Sequence, residues 1–154
     1  MKRIVCLTAL VLGVALWGRL PNSGADVARL HPVEAVQVEM QGQMLVLTTG
    51  TGLWGRGLTA AMALEDLKNT APGEVFLETA QVALVQQGML ADQLLPLLRP
   101  NCRLVLYEGE PDLEAVGGFL GSHPSQATLG TWAAGERVLP RLITKEGRME
   151  LVQP

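Results

Sequence analysis

From Val33 onward, apolar and polar residues alternate with a period of two: "VEAVQVEM", then "QGQ", then "MLVLTT". That period marks half-buried strands, and Gly42 sits where a tight reversal is needed, so the pattern predicts a hairpin. A glycine-rich stretch follows, "GTGLWGRG" from Gly50 to Gly57. The period then lengthens. "LTAAMALEDLKN" (58–69) spaces Leu58, Met62, Leu64 and Leu67 as a helix does, with Thr59 as cap and Ala71-Pro72-Gly73 as stop. "EVFLETAQVALV" (74–85), rich in β-branched and aromatic residues, predicts a third strand. "GMLADQLLPLLRP" (88–100) predicts an amphipathic helix that Pro96 kinks or splits, since an interior proline removes a hydrogen bond and clashes with the preceding turn.

"CRLVLYEG" (102–109) is the clearest strand pattern of the chain. Glu110-Pro111-Asp112 starts a helix over "PDLEAVGGFLGS", which Gly117-Gly118 weakens. Beyond His123-Pro124 the signal thins. "RVLPRLITKEGRMELV" (137–152) then predicts a terminal hairpin around Lys145-Glu146-Gly147, with Pro140 suggesting an edge strand. The order ββαβαβα plus a C-terminal hairpin describes a small α/β (α+β) domain with a mixed sheet.

The start of the chain obeys a different pattern. In "MKRIVCLTALVLGVALW", Lys2 and Arg3 precede fourteen uncharged residues, Ile4 to Trp17. That is the length of a secretory h-region and falls short of the ~20 residues of a spanning helix. Pro21 to Ala25 break the run and end in a small-x-small pattern. Residues 1–25 therefore read as a signal peptide or an uncleaved signal anchor, with a buried N-terminal element as the alternative, and 26–154 as one domain. The expected location is exported, tethered or released.

Composition narrows the functional classes. The 154 residues carry a net charge of −3, with no basic patch for nucleic acid to recognise. Cys6 lies inside the h-region, which leaves Cys102 alone in the domain, so neither a disulfide nor a cysteine metal framework is expected. His31 and His123 each precede a proline, without a second ligand at metal-binding spacing. "GSHPS" (121–125) is not a nucleophile elbow, and the carboxylate pairs Glu65-Asp66 and Asp112 with Glu114 suit solvated helix faces or first turns. Nothing assembles a nucleophile, a base and an orienting group, so the expectation is a protein without catalysis, cofactor or metal.

Gly50, Gly52 and Gly55 spell G-x-G-x-x-G between a strand pattern and a helix pattern. A dinucleotide fingerprint needs a buried parallel strand before it and an acidic residue ~20 positions on, at the end of the next strand. Here the preceding strand alternates like half of an antiparallel hairpin, Glu78 falls in mid-strand, and Trp54 would crowd a pyrophosphate. The favoured reading is a turn that needs glycine for positive φ. The alternative is a ligand-binding or enzymatic domain that holds an anionic group on the Gly50–Gly57 loop at the helix N-terminus.

Several stretches, taken in order, resemble the N-terminal domain of the Ger(x)C family, the C-subunit lipoproteins of spore germinant receptors. They are "LWGRLPN" (16–22), "GRGLTAAMALEDLKN" (55–69), "EVFLETAQVALVQQGML" (74–90) and "LLPLLRPNCRLVLYEGEPDLEAV" (94–116). The likeness covers the chain to about residue 120 and rests on order and pattern. Leu16 stands before Trp17 where the family carries its lipid-acceptor cysteine, and the family's strand histidine is replaced in the region Glu78 to Gln81. The resemblance implies a non-catalytic module of a germination complex at the outer face of the cytoplasmic or spore inner membrane. Its partners would be membrane proteins, and its N-terminal segment would hold it to the membrane. Trp54 and Arg56 are the candidate contact residues, because tryptophan and arginine anchor interfaces more often than other residues do.

Overall fold

The structure is a computed structural model that describes residues 30–123 and 125–154. The segment 1–25, read as a signal peptide or anchor, lies outside the described residues. Among the described residues nine strands follow one another: β1 (Leu30–Pro32), β2 (Ala35–Gln41), β3 (Met44–Thr49), β4 (Trp54–Gly57), β5 (Glu74–Phe76), β6 (Val82–Val85), β7 (Arg103–Glu108), β8 (Arg141–Lys145) and β9 (Arg148–Val152). In the same described residues four α-helices accompany them: α1 (Ala60–Thr70), α2 (Ala91–Leu94), α3 (Leu113–Ser122) and α4 (Leu129–Ala133).

Seven strands make one mixed sheet in the order β4-β3-β2-β6-β7-β8-β9. The inner four, β2, β6, β7 and β8, run parallel. Antiparallel partners flank them on both sides. This is the mixed α/β architecture that the alternation predicts. β1 and β5 pair separately, in parallel. Thr79 ties this small sheet to the large one, since its hydroxyl accepts from the Val33 amide (2.9 Å) and lies 3.0 Å from the Val33 carbonyl.

Strand alternation divides the core in two. Val36, Val38, Leu45, Leu47, Val85 and Leu104 point to one face, where α1, α2 and α4 bring Ala63, Leu67, Leu94, Leu129 and Trp132. Ala35, Leu84, Val105 and Leu142 point to the other, under Val116 and Leu120 of α3. Each fully buried leucine contributes about 1.5–3 kcal/mol of burial free energy. Arg103 donates to the Leu120 carbonyl and so places a cation at the C-terminal end of α3. Asp92 fastens α4 to α2: its carboxylate accepts from Trp132 Nε1 at 2.8 Å and from Arg137 at 3.2 Å. These two hydrogen bonds hold its pKa below the usual carboxylate value.

Four local expectations are corrected. The stretch 74–85 is two strands, because Leu77–Thr79 form a 3₁₀ turn between them. The helix predicted over 88–100 shrinks to a 3₁₀ turn, Gly88–Leu90, and the four residues of α2, ending just before Pro96. Pro140 precedes an inner strand, and the edge belongs to β9. α4, unforeseen, starts at a capping box between Thr128 and Thr131.

The glycine stretch gives the largest difference. Gly52, with φ of +79°, turns the chain, and Trp54–Gly57 then add an antiparallel strand before α1 begins. A Cβ on Gly55 would stand 2.2 Å from the Ala63 carbonyl oxygen, and one on Gly57 would stand 2.6 Å from the Ala63 amide. The two glycines thus form the flat strand surface on which α1 lies. The helix accordingly buries Ala60, Ala63 and Leu67, and leaves Leu58 and Met62, expected on its apolar side, exposed.

Gly55→Ala should therefore destabilise the protein by about 3 kcal/mol through overpacking against backbone that cannot yield. Gly118→Ala, in α3 with nothing within 4 Å of its Cβ, should stabilise it by about 0.5–1 kcal/mol. Urea unfolding of the two variants checks both signs.

Candidate functional site

β4 closes one side of the sheet, and its side chains alternate between α1 and solvent. Gly55 and Gly57 face the helix, while Trp54 and Arg56 face the opposite way. Trp54 is 56% exposed, the largest exposed side chain described. Cross-strand register aligns Arg56 with Val46 and Glu39, and Trp54 with Thr48 and Gln37. The two candidate contact residues are thus neighbours on one sheet face, with α1 stacked behind them.

A polar row continues across this face. Tyr107 donates to Glu39 Oε2 at 2.8 Å and accepts from Gln37 Nε2 at 2.9 Å. Gln41 donates to the other oxygen of Glu39 at 2.6 Å. Burial, aided by the neighbouring Glu39 carboxylate, raises the Tyr107 pKa well above the usual phenol value. A phenol so held is a fixed donor, which braces β2 against β7 across β6. Alternation in "QVEMQ" places Gln37, Glu39 and Gln41 on one face, but their joining to Tyr107, seventy residues on from Gln37, is decided by sheet order.

The G-x-G-x-x-G residues do not converge. The Gly50 amide donates to the Ala35 carbonyl and the Gly52 amide to the Thr49 carbonyl, both at 2.9 Å or less. Gly55 lies within β4, paired with Leu47. All three amides are therefore spent on backbone, that of Gly55 on β3, and the strand separates the turn from the helix N-terminus. Thr49, fully buried, locks the turn through Thr51 and the Leu53 carbonyl.

A cleft of about 770 Å³ opens beside this turn, bounded by Thr48–Gly52, Pro32–Ala35 and the start of α3. Its charged lining is Glu34, Asp112 and Glu114, a setting that repels anions. Asp112 is already engaged as the cap of α3, accepting from the amides of Glu114 and Ala115. Asp66 likewise has a local task, since its carboxylate accepts from the Arg56 amide at 2.9 Å. One member of each carboxylate pair singled out in the sequence thus has a structural task, Asp112 at the start of α3 and Asp66 at the outward amide of Arg56 in β4.

The remaining reactive side chains are dispersed. Cys102 is buried, and burial pushes its thiol up to about 12. His123 stacks on Phe119 at 4.3 Å and is held by the Phe119 carbonyl and Ser122. Among the described residues no three metal-ligating side chains gather, and no helix is long and apolar enough to cross a membrane. Comparison with known proteins finds no matching family model, curated protein or solved structure.

The raised pKa values carry a pH consequence. For both Tyr107 and Cys102 the folded state keeps its proton to higher pH than the unfolded chain does, so their contribution is complete below the unfolded values and is lost as pH rises. Stability should fall from about pH 9 upward, through the Cys102 window toward 12 and into that of Tyr107. Tyr107→Phe should flatten the upper part of that fall in chemical unfolding at stepped pH.

Proposed function

We propose that this chain is a non-catalytic recognition module, exported or membrane-tethered, that acts by protein–protein contact in a spore germination complex. One observation carries the recognition part of this reading: Trp54 and Arg56 stand exposed side by side on an outer strand whose other face is fixed to a helix. A rigid aromatic and an arginine on a supported strand lose little entropy on binding, and side chains of this kind dominate interface energetics. The germination context rests on the resemblance of residues 16–116 to the germinant-receptor C subunits, and tethering rests on the apolar segment after Lys2-Arg3. The partner in this reading is a membrane protein of the complex, met at the outer face of the cytoplasmic or spore inner membrane.

The test is complementation in a sporulating host together with binding to its spore membranes. Trp54→Ala and Arg56→Ala should each weaken membrane-protein binding roughly tenfold or more, the usual loss at an interface anchor. Thermal stability should stay close to wild type, because both side chains project from the fold. A double variant that binds and restores germination as wild type does would remove this face from the function.

A further inference from the structure

The sheet has two outer strands, and they end differently. At β4 the Arg56 amide is taken by the Asp66 carboxylate, and α1 lies along the strand. At β9 no described residue hydrogen-bonds to the outward backbone. The β8–β9 hairpin turns through Glu146 and Gly147, with φ of 50° and 75°, and its closing pair is Lys145 with Arg148. In a two-residue hairpin the closing pair exchanges hydrogen bonds. The peptide groups of Arg148, Glu150 and Val152 therefore turn toward β8, and those of Met149 and Leu151 turn outward.

The charges of this hairpin are unbalanced within one chain. Lys145 lies directly opposite Arg148, and like charges opposite each other destabilise a sheet. Glu150 lies opposite Ile143. Neither Arg148 nor Glu150 forms an ion pair among the described residues, where the pairs found are Arg137–Asp92 and Arg141–Glu108. Arg148 and Glu150 are two positions apart, exposed, on the same face of an open strand.

We propose that β9 pairs antiparallel with β9 of a second copy of this chain, about a two-fold axis through Met149. Outward peptide groups must meet outward peptide groups, so the axis passes through position 149, 150 or 151. Through 150 it would set Glu150 against its own copy. Through 151 it would leave Arg148 beyond the end of the partner strand. Through 149 it sets each Arg148 opposite the other copy's Glu150, supplying twice the counter-charge that the hairpin lacks. The same axis brings the two Met149 side chains together on the α3 side, where Met149 and Leu151 already pack on the core. Charges on an outer strand ordinarily discourage pairing. Here their order permits one register and penalises another. The pairing leaves both β4 strands at the far ends of the joined sheet, and it stands or falls independently of the recognition reading for Trp54 and Arg56.

The experiment uses the full chain in detergent micelles. Met149→Cys should form a disulfide-linked dimer under mild oxidation, since opposed residues of a hydrogen-bonded antiparallel pair lie ~5.5 Å apart at Cα. Glu150→Cys should not; both variants also carry Cys6→Ser, and the buried Cys102 stays out of the reaction. In sedimentation of the cysteine-unmodified chain, Arg148→Glu and Glu150→Arg should each weaken dimerisation roughly tenfold or more. The double variant Arg148→Glu/Glu150→Arg should restore it. A chain that is monomeric at all concentrations would overturn the proposal. So would single reversals that leave a dimer unchanged, or trapping at position 150 in place of 149.

Discussion

The approach of α1 to β4 is the contact on which the arrangement of this domain depends. An ordinary strand presents side chains on both faces, and a helix packs on them at a distance set by their bulk. At Gly55 and Gly57 there are none, so the backbone of the helix rests on the backbone of the strand. Alanines at positions 60 and 63 complete the fit from the helix side. The close contact closes one end of the larger core and holds the outer strand rigid. It also fixes which way Trp54 and Arg56 face, because the alternate positions of the strand are committed to the helix.

The sheet works as two unlike surfaces. One is covered by α1, α2 and α4 from β4 to β7 and is mainly apolar there, while its β8–β9 end carries exposed Arg141, Lys145, Arg148 and Glu150. The other is covered by α3 over part of its width and bears, beside that cover, the row from Tyr107 through Glu39 to Arg56. The part-buried Tyr107–Glu39 hydrogen bond fixes geometry, since the buried phenol left unpaired would carry an uncompensated desolvation cost. Rigidity behind an exposed tryptophan and arginine suits the recognition role proposed for them. The outer strands follow the same logic: one is occupied by its own helix, and the other has a charge order that suits a copy of itself.

Much of the fold is legible in the sequence where periodicity is strong and local. The hairpin at Gly42, the strand at 103–108, the helix capped by Thr59 and the terminal turn at Glu146-Gly147 each rest on neighbours within a few residues. Two of the misreadings share a cause. "WGRG" has no apolar alternation, because its buried positions are glycines that match a helix still to come. Leu58 and Met62 look like core by spacing, yet the helix turns Ala60, Ala63 and Leu67 inward, because only that face lets its backbone lie on the glycines of the strand.

By itself, then, the sequence determined most of the element types and the mixed α/β class, and offered Trp54 and Arg56 as candidate contact residues, since these follow from local propensity and residue chemistry. Only the tertiary structure decided that those two residues share an exposed face, that Gly50, Gly52 and Gly55 belong to a turn and a strand, and that Gln37, Glu39 and Tyr107 meet. The reason is strand order. β2 lies beside β6, and β7 beside β8, through long crossovers whose partners no local pattern encodes. Which side chains become neighbours is settled only when those strands pair.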